Sequence, residues 1–144
     1  MDALKLIARI GDQQIAISAD LVESVVEIDA ITPVPLAAPH IAGLAALRSR
    51  VLTIIDTYAA LEMGRSPRDG VLHAIVVTID HHLYGLLVDE VVDVVEIPGD
   101  PDPLHAGLSR GWASAAMGII EHDGQALLQV DPARIVAGPI AVAA

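Results

Sequence analysis

The chain has no cysteine, no phenylalanine and only one tryptophan and two tyrosines in 144 residues. Without cysteine, disulfides, thiolate zinc sites and cysteine nucleophiles are all excluded. So few rings leave no base-stacking platform for nucleic acid and require an aliphatic core. Basic residues are also scarce: eight Lys and Arg stand against 19 Asp and Glu, a formal charge of −11. That balance argues against a phosphate backbone or an anionic membrane surface as partner. Long apolar runs are missing too, although 53% of the residues are hydrophobic and the mean hydropathy is +0.57. A spanning helix needs roughly 20 consecutive apolar residues. Here "AITPVPLAAP" is broken by Pro33, Pro35 and Pro39, and "IAGLAAL" and "WASAAMGII" are short. Asp2, Lys5 and Arg9 fall where a signal peptide would carry its apolar run. The expectation is a soluble cytoplasmic protein with no direct membrane insertion and no nucleic-acid partner.

What is present is a series of short Val- and Ile-rich runs separated by turn residues, the pattern of β-structure. Leu4–Ile10 and Gln14–Ser18 flank the hairpin signal Gly11-Asp12. Val51–Asp56, His73–Ile79, Leu83–Val88, Met117–Glu121 and Gln125–Val130 are further strands, with turns at Asp80-His81-His82 and Asp123-Gly124. Helical signals are few. Asp131 followed by Pro132 opens "PARIVA", and Asp56 caps "TYAAL".

The chain also resembles itself. "ADLVESVVEI" (Ala19–Ile28) and "VDEVVDVVEI" (Val88–Ile97) agree at six of ten positions, at a shift of 69. Upstream, Gly11 meets Asp80; downstream the shift grows to 75 and pairs Gly43 with Gly118 and "VLTIID" with "ALLQVD". Ordered agreement of turn, strand, acidic element, glycine and cap implies two lobes of similar path, each of about five short strands curled into a small barrel. The lobes fall at about 14–64 and 71–136, with "GRSPRDG" (Gly64–Gly70) between them and "PGDPDP" (Pro98–Pro103) as a rigid loop of the second. An exchange of strands from the N- and C-terminal segments is left open. A lobe of about 70 residues is marginal alone, so the two should share an apolar core. Excess hydrophobicity is expected on partner-facing strands such as "HAIVVTI" and "ALLQV".

Chemistry is harder to find. His81 and His82 are adjacent, and His40, His73, His105 and His122 lack the spacing of converging ligands, so all six read as solvated turn and loop residues. No serine sits in a Gly-x-Ser-x-Gly elbow and no Gly-rich phosphate loop occurs. Asp89, Asp93 and Glu96 read as the polar face of a half-buried strand. No catalytic residue, cofactor site or metal site is assigned, and the chain is expected not to be an enzyme. There remain Arg48 and Arg50, two of eight basic residues within three positions. They are either ordinary solubilising side chains at a strand start or a planar fork offered to a partner's carboxylate. A small-ligand or metal-binding β-barrel is the alternative from another class, motivated by the histidines.

At these residues the chain resembles the CheW-like family of bacterial chemotaxis coupling proteins. "PHIAGLAALRSRVLTIIDT" and "GLLVDEVVDVV" follow that family's elements in order over about residues 4–136. The resemblance implies one domain over 1–144, mainly β, of two intertwined five-stranded SH3-like barrels with a shared hydrophobic core and a few short helices. It also implies a non-catalytic adaptor bridging the cytoplasmic domain of a chemoreceptor to the regulatory domain of a histidine kinase, with ring-forming self-association through one patch per lobe. By the same resemblance the groove between the lobes binds the receptor tip, and Arg48, Gly43 and Val22 are receptor-binding positions. The chain departs from the family at Ala46, Ser49 and Thr53, and at Ser24, where a carboxylate commonly partners the arginine. Glu23 and Glu27 are the substitutes at hand. The runner-up reading is an adaptor or regulator in another signalling kinase pathway.

Overall fold

Short aliphatic runs separated by two-residue turns fold as ten strands. The structure, a computed structural model, describes residues 4–104 and 107–139; Asp2, His105 and most of the apolar C-terminal stretch lie outside the described residues. The first half comprises β1 (Leu4–Ile10), β2 (Gln13–Ser18), β3 (Val22–Ile28), β4 (Ile41–Leu47), β5 (Arg50–Ile55) and α1 (Thr57–Ala60). The second comprises β6 (Leu72–Ile79), β7 (His82–Val88), β8 (Glu90–Glu96), α2 (Arg110–Ala115), β9 (Ala116–His122), β10 (Gln125–Val130) and α3 (Pro132–Ala137). A 3₁₀ turn, Ala19–Leu21, precedes β3. Each hairpin tip turns on a left-handed residue: Gly11, Arg48, Asp80 with His81, and Asp123 with Gly124. Asp56 and Asp131 cap α1 and α3 by accepting from the Ala59 and Ala133 amides.

One sheet runs β8-β1-β2-β10-β9 and the other β3-β6-β7-β5-β4. Each sheet draws on both halves of the chain. The β1–β2 hairpin joins β10 in parallel, Ile15 opposite Leu128, and the β6–β7 hairpin joins β5 in parallel, Thr53 opposite Tyr84. The internal repeat reappears pair by pair. Val22 opposite Val77 is matched by Val91 opposite Ala8, and the register slips at Glu23 in β3 and at the corresponding Val92 in β8. Isolated bridges Thr32–Leu44 and Asp102–Ile119 are likewise equivalent.

This exchange explains why the strands read as continuous apolar runs. Alternate residues point to different cores, so both strand faces are buried. In β6, Ala74 and Val76 fill one barrel while Ile75 and Val77 enter a core shared between the sheets. In β10, Leu127 fills the other barrel and Leu128 and Val130 enter the shared core. The expectation that "HAIVVTI" and "ALLQV" face partners is therefore overturned: their apolar residues from Ala74 to Val77 and from Leu127 to Val130 are buried. Exposed apolar side chains lie instead at Val25, Val51, Val92 and Val94.

His40 also departs from the reading of solvated histidines. It is buried, its Nε2 stands 2.9 Å from the Val136 carbonyl oxygen, and its ring packs where a Cβ at Gly138 would lie. His81 does sit on an exposed turn, and His82, also exposed, opens β7.

Asp56 does more than cap α1. It is buried and accepts from Ser66 N at 3.0 Å, Ser66 Oγ at 2.5 Å and Arg68 Nη2 at 2.9 Å, pinning the segment between the halves. Burial pushes its carboxyl up, but the bonds from Ser66, Ala59 and Arg68 outweigh this and hold it below the ordinary value. A carboxyl depressed in the folded state stabilises above the unfolded pKa of about 3.9, and that contribution is lost as pH falls through the folded value. Urea titrations across acid pH should therefore show a steeper loss of stability for the wild type than for Asp56→Asn, which is less stable at neutral pH. Parallel curves would contradict this role. Gly43 (φ +148°) passes so close to Thr32 that a Cβ there overlaps the Thr32 carbonyl. Gly43→Ala is expected to lower the unfolding free energy by about 1–3 kcal/mol, read by denaturant melts.

Candidate docking surface

β3 emerges from its 3₁₀ turn along the seam between the sheets. Its bulge leaves Glu23 without a register partner in the β6 ladder, and bulges re-aim side chains. Glu23 reaches across to the β4–β5 hairpin, where it forms a short ion pair with Arg50, and accepts from Thr78 Oγ1 at 2.7 Å. The Arg50 hydrogen bond, then that of Thr78, holds the Glu23 carboxyl below the ordinary glutamate value.

Glu23 walls off two adjoining depressions. The first, of about 420 Å³, lies between the start of β3, the end of β6 and the start of α3. Since β6 lies in one sheet and α3 follows a strand of the other, this groove sits on the seam. Leu21, Val22, Ile79 and Pro132 give it apolar walls and Asp20 and Asp131 an acidic rim. The second depression, of about 540 Å³, runs from Ser24, Val25 and Val26 to the hairpin tip Leu47–Arg50.

Arg48 occupies that tip with φ +57°, is exposed, and has no hydrogen-bond or ion-pair partner among the described residues. Neither substitute carboxylate serves it: Glu23 is taken by Arg50, and Glu27 faces His73 at 3.7 Å. At the equivalent tip of the other half stands Asp123, also left-handed (φ +51°). Val22 and Arg48 thus line adjoining depressions, one on each side of Glu23. Gly43 lines neither; it is buried in β4 against Ile31 and Thr32, where it shapes the backbone rather than the surface. Among the described residues no group of three His, Asp or Glu side chains is placed to hold a metal ion.

Sequence reasoning noted Arg50 but not its pairing with Glu23, and missed Asp20 and Asp131 as rim residues. Glu23 and Arg50 are 27 residues apart and meet through a bulge, which hydrophobic periodicity does not show. Carrying the repeat through to Asp20–Asp89 and Asp131–Asp56 was the available signal.

With the topology and this surface established, comparisons with known proteins place the chain. The CheW-like domain family matches residues 5–139, and the chain belongs to that family. It is 29% identical over 140 residues to the chemotaxis protein CheW of Thermotoga maritima, covering 94% of this chain and 91% of that one. It is 32% identical over 125 residues to the chemotaxis protein CheW of Rhizobium meliloti, covering 85% and 80%. The crystal structure of the scaffolding protein TtCheW from Thermoanaerobacter tengcongensis has the same fold, with a TM-score of 0.78 at 22% identity, covering 91% of this chain and 85% of that one.

NMR titration should find the Glu23 carboxyl shifting up toward its ordinary value in Arg50→Ala and unmoved in Arg48→Ala. A shift caused by Arg48→Ala would show that Arg48, not Arg50, is the partner.

Proposed function

We propose that the chain is a non-catalytic chemotaxis adaptor that couples chemoreceptor cytoplasmic tips to the regulatory domain of a histidine kinase. The observation that carries this reading is Arg48: an exposed guanidinium on a left-handed hairpin tip, free of internal partners, beside the seam groove that holds Val22. Arginine is among the side chains favoured at binding hot spots, and a planar fork without an internal carboxylate is available to one from a partner. Ser24, in place of the family's carboxylate, leaves that charge uncompensated. Membership of a family whose relatives are named as chemotaxis proteins, one of them a scaffold, supports the same reading.

Coupling needs two rigid faces that differ, and the duplicated fold supplies them. Arg48 marks one hairpin tip and Asp123 the other; Val92 and Val94 are exposed on β8 while β3 carries Val25. Heterologous contacts between such faces are also the geometry of ring-forming self-association. The receptor tip would bind at Val22 and Arg48 with Gly43 supporting β4, and the kinase domain would use a different face. Such partners place the protein in the cytoplasm, and among the described residues no helix is long and apolar enough to cross a membrane.

Calorimetric titration with cognate receptor tip fragments and kinase regulatory domains should give saturable binding. Arg48→Glu should weaken receptor capture about tenfold or more with thermal melting unchanged. Absence of binding to every cognate receptor and kinase fragment would overturn the proposal. Unchanged receptor affinity in Arg48→Glu would remove Arg48 from the site.

A further inference from the structure

The seam groove occurs twice in the chain, once open and once filled. Carrying its lining across the repeat places Asp89 on Asp20, Val91 on Val22, Ile10 on Ile79 and Tyr58 on Ala133. In the filled copy Tyr58 reaches from α1 to the end of β7. Its hydroxyl donates to Asp89 Oδ2 at 2.8 Å, and the same oxygen accepts from the Gly11 amide at 2.6 Å. The ring is partly buried against the shared core. In the open copy Ala133 provides only a methyl group, and Asp20 is exposed with no hydrogen-bond or ion-pair partner among the described residues. Asp131 is already engaged by Ala133 N at 3.0 Å and by Arg134 at 3.7 Å.

The copies also differ in charge. Arg9, which borders the filled copy beside Glu90 at 3.5 Å and donates to the Gly11 carbonyl, corresponds to Thr78 in the open copy. Thr78 donates to Glu23 and brings no charge. Gly11 corresponds to Asp80. Relative to the filled copy, the open one lacks the phenol and the guanidinium, carries Leu21 where Glu90 stood, and leaves Asp20 as a carboxylate that no described residue neutralises. A side chain that completes it must supply an apolar stem and a positively charged donor.

We infer that the open copy receives a lysine or arginine from the docked partner. Its stem lies over Ala133 and Val22 where the Tyr58 ring lies in the filled copy, and its head donates to Asp20. This rests on the reading that the β3 face docks a receptor helix, and it adds the residue type that the helix must present. Long basic side chains suit such a site because the methylene stem packs while the head stays polar.

The test uses the full chain with a cognate receptor tip fragment, compared across Ala133→Tyr, Ala133→Ser and Asp20→Asn. Ala133→Tyr installs the plug that the molecule already accommodates in its other half. It should reduce tip affinity about tenfold or more with melting temperature unchanged. Ala133→Ser should bind as wild type. Asp20→Asn should weaken binding severalfold and flatten its dependence on salt, since a screened charge pair is lost. If wild type captures the tip and Ala133→Tyr captures it equally well, the groove is not entered and this inference fails while the docking reading stands. If Ala133→Tyr blocks binding but Asp20→Asn leaves affinity and salt dependence unchanged, the cation assignment fails. A wild-type chain that captures no tip fragment sinks the docking reading itself. Should Ala133→Tyr melt early, Asp20→Asn alone decides, because an exposed, unpartnered carboxylate can be replaced without loss of fold.

Discussion

Two parallel strand pairs, β2 with β10 and β5 with β7, hold the molecule together. Each inserts a hairpin from one half of the chain into the sheet of the other half, so neither half completes a barrel by itself. Ile15, Ile17, Ile75, Val77, Leu86 and Leu128 then meet in one core shared by both sheets. Burial of aliphatic area at roughly 25 cal/mol per Å² has to supply most of the stability in a chain with a single tryptophan and no disulfide. The high apolar content reflects this two-sided burial. Among the apolar residues left exposed, Val25 and Val94 lie on the outer strands β3 and β8 and Val92 at the β8 bulge, where they are available for contact.

The same constraint sets up function. A duplicated path gives the chain two equivalent surfaces, and small sequence differences make them unlike. At the bulge, Glu23 engages Arg50 and Thr78 in one half, whereas Val92 stands exposed in the other. At the hairpin tip, Arg48 faces solvent in one half and Asp123 in the other. Beside the seam, Tyr58 closes one groove and Ala133 leaves its twin open. These side chains sit on strands, two-residue hairpin turns and the short helices α1 and α3, so their relative positions are set by packing before any partner arrives. An adaptor benefits from this, since ordering flexible segments on binding costs affinity.

Much of the fold was legible from the residues. Leu4–Ile10 and Gln125–Val130 were read to the residue, because apolar runs end sharply at Gly11 and Asp131. β4 was not read directly, since "IAGLAAL" is rich in alanine and glycine, which are poor strand formers; only its alignment with Met117–Glu121 in the repeat pointed to it. α2 was missed because its six residues have no amphipathic pattern; it is placed by the Ser109 cap and by Gly111, which lies against the Leu61 carbonyl. His40 does sit in the turn before β4, but its burial is not legible locally, because it depends on Gly138, 98 positions away, lacking a side chain. The resemblance to the CheW-like family singled out Arg48, Gly43 and Val22. The pairing that keeps Glu23 away from Arg48 required the bulge, and the open groove required knowing that Tyr58 fills its counterpart.

The central claim is that the seam beside β3 is the surface on which a receptor tip docks. Backbone amide shifts of the isotopically labelled chain, followed as a cognate tip fragment is added, test it most directly. The account predicts perturbations concentrated at Asp20–Val26, Leu47–Arg50 and Val77–Ile79. Perturbations confined to β8 around Val92 and Val94, with the β3 face silent at saturation, would contradict it.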